Sequence, residues 1–477
     1  MRFNSNYFLA VLFVILLGGC KKWDDHIEPG NKDVTENLYE AISVNSDLTK
    51  FKQYVDQTGL DSLLKLSKAY TVWAPSNAAL QTLDPAIAND PAKLKNLLLN
   101  HISLQSYFVR NGTPDLRVAM LNGKYVSFTG SRFGEASLVS SDKFVGNGVL
   151  HVIDKLVPVL PSIWEYIVAT SGTYSQNSFI TSLNYNAFDP SQAIVDSISA
   201  STGLPIYKPG TGLVPRNYFT DRVFNVKRED RLYTYFVMQN NAFVTEADSL
   251  KPYFKTASTA ATDTLTRWNV VKDLVVEGLL TSVPSSIVSR SGVTVPLSAA
   301  NVVETVKVSN GIVYVMSKID VPTASKFGEI VIQGENPSGF LSDKTGNTSY
   351  RVRLNPVTNT WFGDIMISGH GVTTYYAYYR LNDIPSVKYR VYALGVNDFQ
   401  TGAFAQTIVA KSLTLPNTYT TLASLTHNVP LSTTAGAYSE LLLGEFTPAN
   451  FGVLEIQLTS TATNPLVLDY LRLVPVP

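Results

Sequence analysis

The chain has one cysteine, Cys20, in 477 residues. A single thiol excludes a disulfide framework, a thiolate zinc site and an iron–sulfur cluster. Charge is also scarce: 16% of residues are charged, against roughly 25% in ordinary soluble domains. Lys+Arg and Asp+Glu are both 38, so the net charge is zero and a global basic face for nucleic acid is not expected. No stretch of the chain reaches the roughly 18 consecutive apolar residues of a membrane-spanning helix. Missing too are a glycine-rich phosphate loop before a helix, a His-Glu-x-x-His and a Gly-x-Ser-x-Gly. The five histidines, at 26, 101, 151, 370 and 427, are scattered. Acidic residues are available for a glycosidase pair, but no spacing singles out two of them. These absences argue against an enzyme.

What is present begins with an apolar run, Tyr7 to Leu17, behind Arg2. Eleven apolar residues suit the core of a signal peptide. Leu17-Gly18-Gly19-Cys20 follows, with small residues at a cleavable backbone and the only thiol at the cut. This resembles the lipobox of bacterial lipoproteins, which implies a signal peptide over 1–19 and a lipid on Cys20. Lys21-Lys22-Trp23-Asp24-Asp25 looks like the surface-export signal of Bacteroidota lipoproteins. It implies an outer-membrane anchor facing outward. Residues 20–34, with Pro29-Gly30, read as a tether.

Residues 35–68 carry apolar positions at helical spacing, broken near Asn45 and Gly59. Tyr70–Leu80 starts as a buried strand that Pro75 ends. Residues 91–100 predict a helix with Pro at its start, leading into His101. Asn147-Gly148 is a turn signal before the apolar strand Val149–Ile153. Together these pieces resemble the fasciclin-like domain over 35–160. Thr71, Pro75 and Asn77 stand in its first motif, His101 at its Tyr-His motif, and Asn147, Gly148, His151 and Asp154 in its second. The resemblance implies an α+β fold and an adhesion role. The motif positions, including His101 and His151, are expected to be structural.

The pattern then recurs. Thr234–Phe243 lines up with Thr71–Leu80, and Asn310–Lys318 with Asn147–Lys155. Val270–Gly278 lines up with the helix ending at His101. In this second copy Pro75 becomes Met238, Asp154 becomes Ser317, and the histidine positions become Gly278 and Tyr314. It reads as a divergent fasciclin-like domain over 165–322. Its 184–228 segment is too long for an ordinary loop.

From 323 to 477 helical periodicity vanishes, and about ten short strands alternate with turn residues, predicting an all-β sandwich of jelly-roll type. Leu468–Leu473 alternates as one strand and resembles the closing strand of jelly-roll carbohydrate-binding modules. Tyr376 and Tyr378 fall on one strand face, and Tyr375 and Tyr379 on the other. An exposed tyrosine face, with Trp361 as a neighbour and His370 in a turn beside it, would suit sugar rings. No cofactor is expected. Glu335 and Asp469 could contribute to a structural calcium of the kind found in such modules.

The fold class is therefore multidomain: two α+β fasciclin-like domains followed by an all-β jelly-roll or β-sandwich domain. The expected function is a non-catalytic surface lipoprotein for adhesion or glycan binding, an accessory to polysaccharide capture. Its partners are the membrane, through Cys20, and a glycan or surface protein. It is monomeric or part of an envelope complex, and binds no nucleic acid. The alternative is an envelope scaffold binding protein partners through its fasciclin-like domains.

Overall fold

The computed structural model describes residues 35–112, 115–414 and 418–477. Cys20, the expected signal peptide over 1–19 and the expected tether over 20–34 lie outside the described residues. The described chain forms two compact units. The first holds residues 35–166 with 226–232 and 307–311. The second holds 167–225, 233–306 and 312–477.

In the first unit, helix Leu38–Ser43 opens with a reciprocal cap. Asn37 Oδ1 accepts from the Glu40 amide at 3.0 Å, and Glu40 Oε2 from the Asn37 amide at 2.9 Å. Helices Thr49–Gln57 and Asp61–Leu64 follow, with Gly59 turning the chain between them at φ +69°. Asp90 caps Pro91–Leu99. Seven strands form one sheet in the order Ile102–Leu104, Tyr70–Pro75, Gly148–Ile153, Ala136–Val145, Arg132–Phe133, Tyr125–Phe128, Leu116–Ala119. Tyr70–Pro75 and Gly148–Ile153 run parallel and are fully buried. Strand alternation sends Val72, Ala74, Leu150 and Val152 to a core shared with helical Leu38, Phe51, Val55 and Leu98. It sends Trp73 and Ile153 to a second core with Phe128 and Phe133.

The same four-strand order recurs further along the chain: Val275–Glu277, Tyr233–Met238, Gly311–Met316, Val302–Val308. The 184–228 segment is not an irregular loop. It is built of two antiparallel ribbons, Asn184–Phe188 with Leu213–Asn217 and Val195–Ile198 with Pro205–Tyr207, followed by helix Tyr218–Arg222. A two-stranded ribbon has no interior, so Phe188, Ile198, Leu204 and Leu213 stay exposed.

The C-terminal part of this unit is all-β among its longer elements. Its strands pair antiparallel in sheets of four, five and three strands. The five-stranded sheet runs Gly339–Phe340, Tyr376–Ile384, Gly452–Ser460, Phe404–Thr414, Thr418–Val429. The closing segment differs from the single strand that alternation predicted. It breaks at Asp469: Leu466–Leu468 pairs with Thr360–Ile367, and Tyr470–Val476 joins another sheet. The Asp469 amide donates to the Leu394 carbonyl at 2.8 Å and its carbonyl accepts from Gly334 at 2.6 Å, which holds the break.

Candidate functional site

The five-stranded sheet has one apolar face and one polar face. Tyr375, Ala377 and Tyr379 point into the core with Leu454, Ile456 and Leu458. The buried Tyr379 hydroxyl donates to the Gly334 carbonyl at 2.7 Å. Tyr376 and Tyr378 therefore take the other face, where both are half-buried. Their cross-strand partners are Thr459 and Gln457, and Arg380 faces Glu455.

A polar row runs along this face beside the rings. Arg380 Nη2 donates to Glu455 Oε2 at 3.0 Å and to the Tyr419 hydroxyl at 2.8 Å. Gln457 Nε2 donates to Glu455 Oε1 at 2.9 Å. The Arg380 guanidinium lies 5.5 Å from the centre of the Tyr378 ring. Tyr378 in turn lies across Gly339, where any side chain would collide with the ring. Thr459 Oγ1 is buried with no partner among the described residues. The result is a sheet face on which two half-buried rings lie beside a row of hydrogen-bonding groups, of which Glu455 and Gln457 are buried beneath them. Apolar ring faces beside a few placed polar groups suit a sugar, whose faces carry C–H groups and whose edges carry hydroxyls.

Two features differ from the flat platform that the sequence suggested. The Tyr376 and Tyr378 rings are tilted by 58°, with centroids 6.4 Å apart, so they are not coplanar. Trp361 is 71% exposed but belongs to the three-stranded sheet, opposite Leu354, and does not join them. Sequence reasoning missed Arg380, Tyr419, Glu455 and Gln457. Arg380 was legible from the same alternation as Tyr376 and Tyr378. The others come from distant strands, and only pairing brings them in.

His370 does not stand on the tyrosine face as an exposed group. It is buried, stacks on Tyr375 at 5.0 Å, and its Nε2 lies 2.9 Å from the Asn464 carbonyl. It fixes a loop, because an imidazole donor between two glycines can reach a carbonyl that the backbone leaves open.

Glu335 and Asp469 do approach one another. Burial, then Asp364 and Glu335, push the Asp469 carboxyl up to about 7. Asp364 is already held by Arg351 at 2.8 and 2.5 Å and by Arg353 at 3.5 Å. That leaves two carboxylates where calcium takes about six to eight oxygens. Among the described residues no group of three His, Cys, Asp or Glu is placed to hold a metal ion.

The motif residues of the first unit lie in hydrogen-bond networks. Thr71 Oγ1 donates to the Gln105 carbonyl at 2.7 Å and accepts from the Tyr107 amide at 2.8 Å. Asn77 Oδ1 accepts from the Lys50 amide at 2.9 Å, at the start of a helix. Pro75 closes its strand, and Asp154 Oδ1 accepts from the Ser137 amide at 2.7 Å. Asn147 Oδ1 accepts from the Leu38 amide, and its Nδ2 donates to the Leu64 and Leu66 carbonyls. A Cβ at Gly148 would collide with the Tyr70 carbonyl. His101 Nδ1 donates to Leu97 and Nε2 accepts from the Val157 amide, which assigns a neutral ring; burial pushes it down to about 4. His151 is held neutral in the same way by Tyr107 and the Asp142 amide, with burial lowering it.

The second copy repeats these roles with other residues. Asn310 Oδ1 accepts from the Ile163 amide, and its Nδ2 donates to the Val226 and Arg228 carbonyls. Thr234 Oγ1 donates to the Gly278 carbonyl and accepts from the Leu280 amide. Tyr314 donates to the Leu280 carbonyl, as His151 does to Tyr107. Its ring stacks on Phe236 at 5.7 Å, as His151 stacks on Trp73 at 5.6 Å. One correspondence is corrected. The carbonyl that meets Phe236 is that of Leu274, as His101 meets Trp73. Gly278 instead matches Gln105, and the two share φ values of 109° and 113°.

Residues 46–159 match the family described as Fasciclin domain. The N-terminal part of the chain thus contains a fasciclin domain. Transforming growth factor-beta-induced protein ig-h3 of Sus scrofa is 29% identical over 133 residues, 26% of this chain and 20% of that protein. The chain therefore spans about a fifth of that relative's length. A FAS1 domain pair from the insect cell adhesion molecule Fasciclin I aligns over 59% of this chain and 99% of its own, at 17% identity and TM-score 0.23. A family 35 carbohydrate binding module from Clostridium thermocellum aligns over 31% of this chain and 100% of its own, at 12% identity and TM-score 0.22.

Proposed function

We propose that this protein is a non-catalytic binding protein of the cell exterior that captures carbohydrate through its C-terminal β-domain. In this reading Cys20 carries a lipid anchor in the outer membrane, with the chain facing outward. Residues 35–160 and 165–322 are two fasciclin-like domains, and 323–477 is a jelly roll. The observation that carries the reading is the row of Tyr376, Tyr378 and Tyr419 beside the hydrogen-bonded Arg380, Glu455 and Gln457. The fasciclin match supports adhesion, and the matched hydrogen bonds of Asn147 with Asn310 and His151 with Tyr314 support the second copy.

The test is binding of the full chain to a panel of neutral polysaccharides, beside the double variant Tyr376→Ala/Tyr378→Ala. Saturable binding lost in the variant supports the reading. Absence of binding to any glycan turns it down. A protein-binding scaffold is the second reading. The apolar ribbons of 184–217 favour it, with Leu204 64% exposed at a tip.

A further inference from the structure

A cavity of 450 Å³ opens in the second unit between helices Ser175–Ser182 and Asn240–Ser249 and the last turns of Thr259–Val271. That size falls within the roughly 300–1,000 Å³ of small-molecule sites. Ser175, Ser178 and Ser182 line it from one helix face, at three- and four-residue spacing. No carboxylate lines it.

Three observations give the cavity a chemistry. Arg267 is exposed on its rim, and no ion pair holds it among the described residues. Nearby Lys251, by contrast, is taken by Asp248 and Asp263 at 2.8 and 3.0 Å. Ser175 Oγ is buried with no partner among the described residues. Such a hydroxyl costs roughly 1–3 kcal/mol unless something outside the fold bonds it. The rim is also rigid before any ligand arrives: Asn240 Oδ1 accepts from the Ser175 amide at 2.7 Å, and Asn240 Nδ2 donates to the Thr173 carbonyl at 3.0 Å. Val244, 43% exposed, supplies an apolar wall.

We propose that this cavity binds an anionic sugar unit, with its carboxylate on the Arg267 guanidinium and its hydroxyls on Ser175 and Ser178. A planar guanidinium meets a carboxylate through two parallel hydrogen bonds, and free hydroxyls serve a polyol. The proposal deepens the glycan reading in ligand class, but it uses no residue of the tyrosine face.

The experiment is calorimetric titration of the full chain with a galacturonic acid trimer, a neutral galactose trimer and inorganic sulfate. In the Tyr376→Ala/Tyr378→Ala variant, saturable binding of the acidic trimer alone is expected, weakened at least tenfold when Arg267→Gln is added. Ser175→Ala is expected to weaken it severalfold while leaving the thermal midpoint unchanged or higher, since that hydroxyl has no partner in the fold. In the Tyr376→Ala/Tyr378→Ala variant, equal binding of the neutral trimer, an affinity that Arg267→Gln leaves alone, or no binding overturns the proposal. Full competition by sulfate at equal concentration also overturns it, reducing the site to a general anion site. Tyr376→Ala/Tyr378→Ala separates the two readings. Acidic-trimer binding that survives in that variant belongs to this cavity; binding that disappears there and survives Arg267→Gln belongs to the tyrosine face.

Discussion

Tyr378 and Tyr379 are adjacent in sequence and take opposite roles. Tyr379 is buried with its hydroxyl on Gly334, while Tyr378 is half-buried over Gly339. Tyr379→Phe leaves the Gly334 carbonyl unpaired and should cost about 1–3 kcal/mol in urea unfolding, with glycan binding unchanged. Tyr376→Ala/Tyr378→Ala should do the reverse, removing binding with little change in the unfolding midpoint. Two buried titrating groups also act with opposite sign. His101 is depressed to about 4, so the unfolded chain binds the proton more readily below pH 6.5. Its contribution is full above that value and is lost as pH falls towards 4. Asp469 is raised to about 7, so its contribution is full below about 4 and is lost as pH rises towards 7. Each slope is at most about 1.4 kcal/mol per pH unit. Thermal midpoints followed from pH 4 to 8 should therefore show Asp469→Asn gaining over wild type as pH rises. A gain that is flat with pH would contradict this.

At the scale of elements, the paired asparagines test the repeat. Asn147 and Asn310 each satisfy one helix-start amide and two carbonyls. Asn147→Ala and Asn310→Ala should each cost at least about 2–3 kcal/mol, measured by chemical unfolding, because three buried backbone groups lose partners together. A second element rests on charge. Lys326 and Asp273 meet at 2.6 Å with both side chains buried, and Ser289 donates to Asp273. Lys326→Met strands the carboxylate and should destabilise by about 3–5 kcal/mol in the same assay.

The sequence revealed most where a local signal was strong. The breaks at Asn45 and Gly59, the Pro91 helix start and the strands of the C-terminal region all carry their own turn or cap residues. It missed where partners are remote. Leu274 and Gly278 could not be told apart by composition, because the distinction lies in which carbonyl reaches Phe236. Asp469 sat inside a clean alternation, yet the strand breaks there as its backbone bonds to Leu394 and Gly334. The 184–228 segment was legible only as too long for an ordinary loop; its valines and isoleucines pair as ribbons. On the tyrosine face, alternation along Tyr376–Ile384 supplied the tyrosines, while Glu455, Gln457 and Tyr419 lie more than thirty residues away and depend on strand order.

At the scale of the whole molecule, a fasciclin domain over 46–159 stands in one chain with an antiparallel β-region in which one sheet face carries half-buried Tyr376 and Tyr378 beside Arg380. The central claim is that this face holds the glycan. Hydrogen–deuterium exchange of the full chain, with and without a saturating neutral oligosaccharide, tests it most directly. The account predicts slowed exchange in peptides covering 376–380 and 455–459, with the first unit unchanged. Protection confined to the fasciclin domain or to the 184–217 ribbons, with none on the tyrosine face, would contradict it.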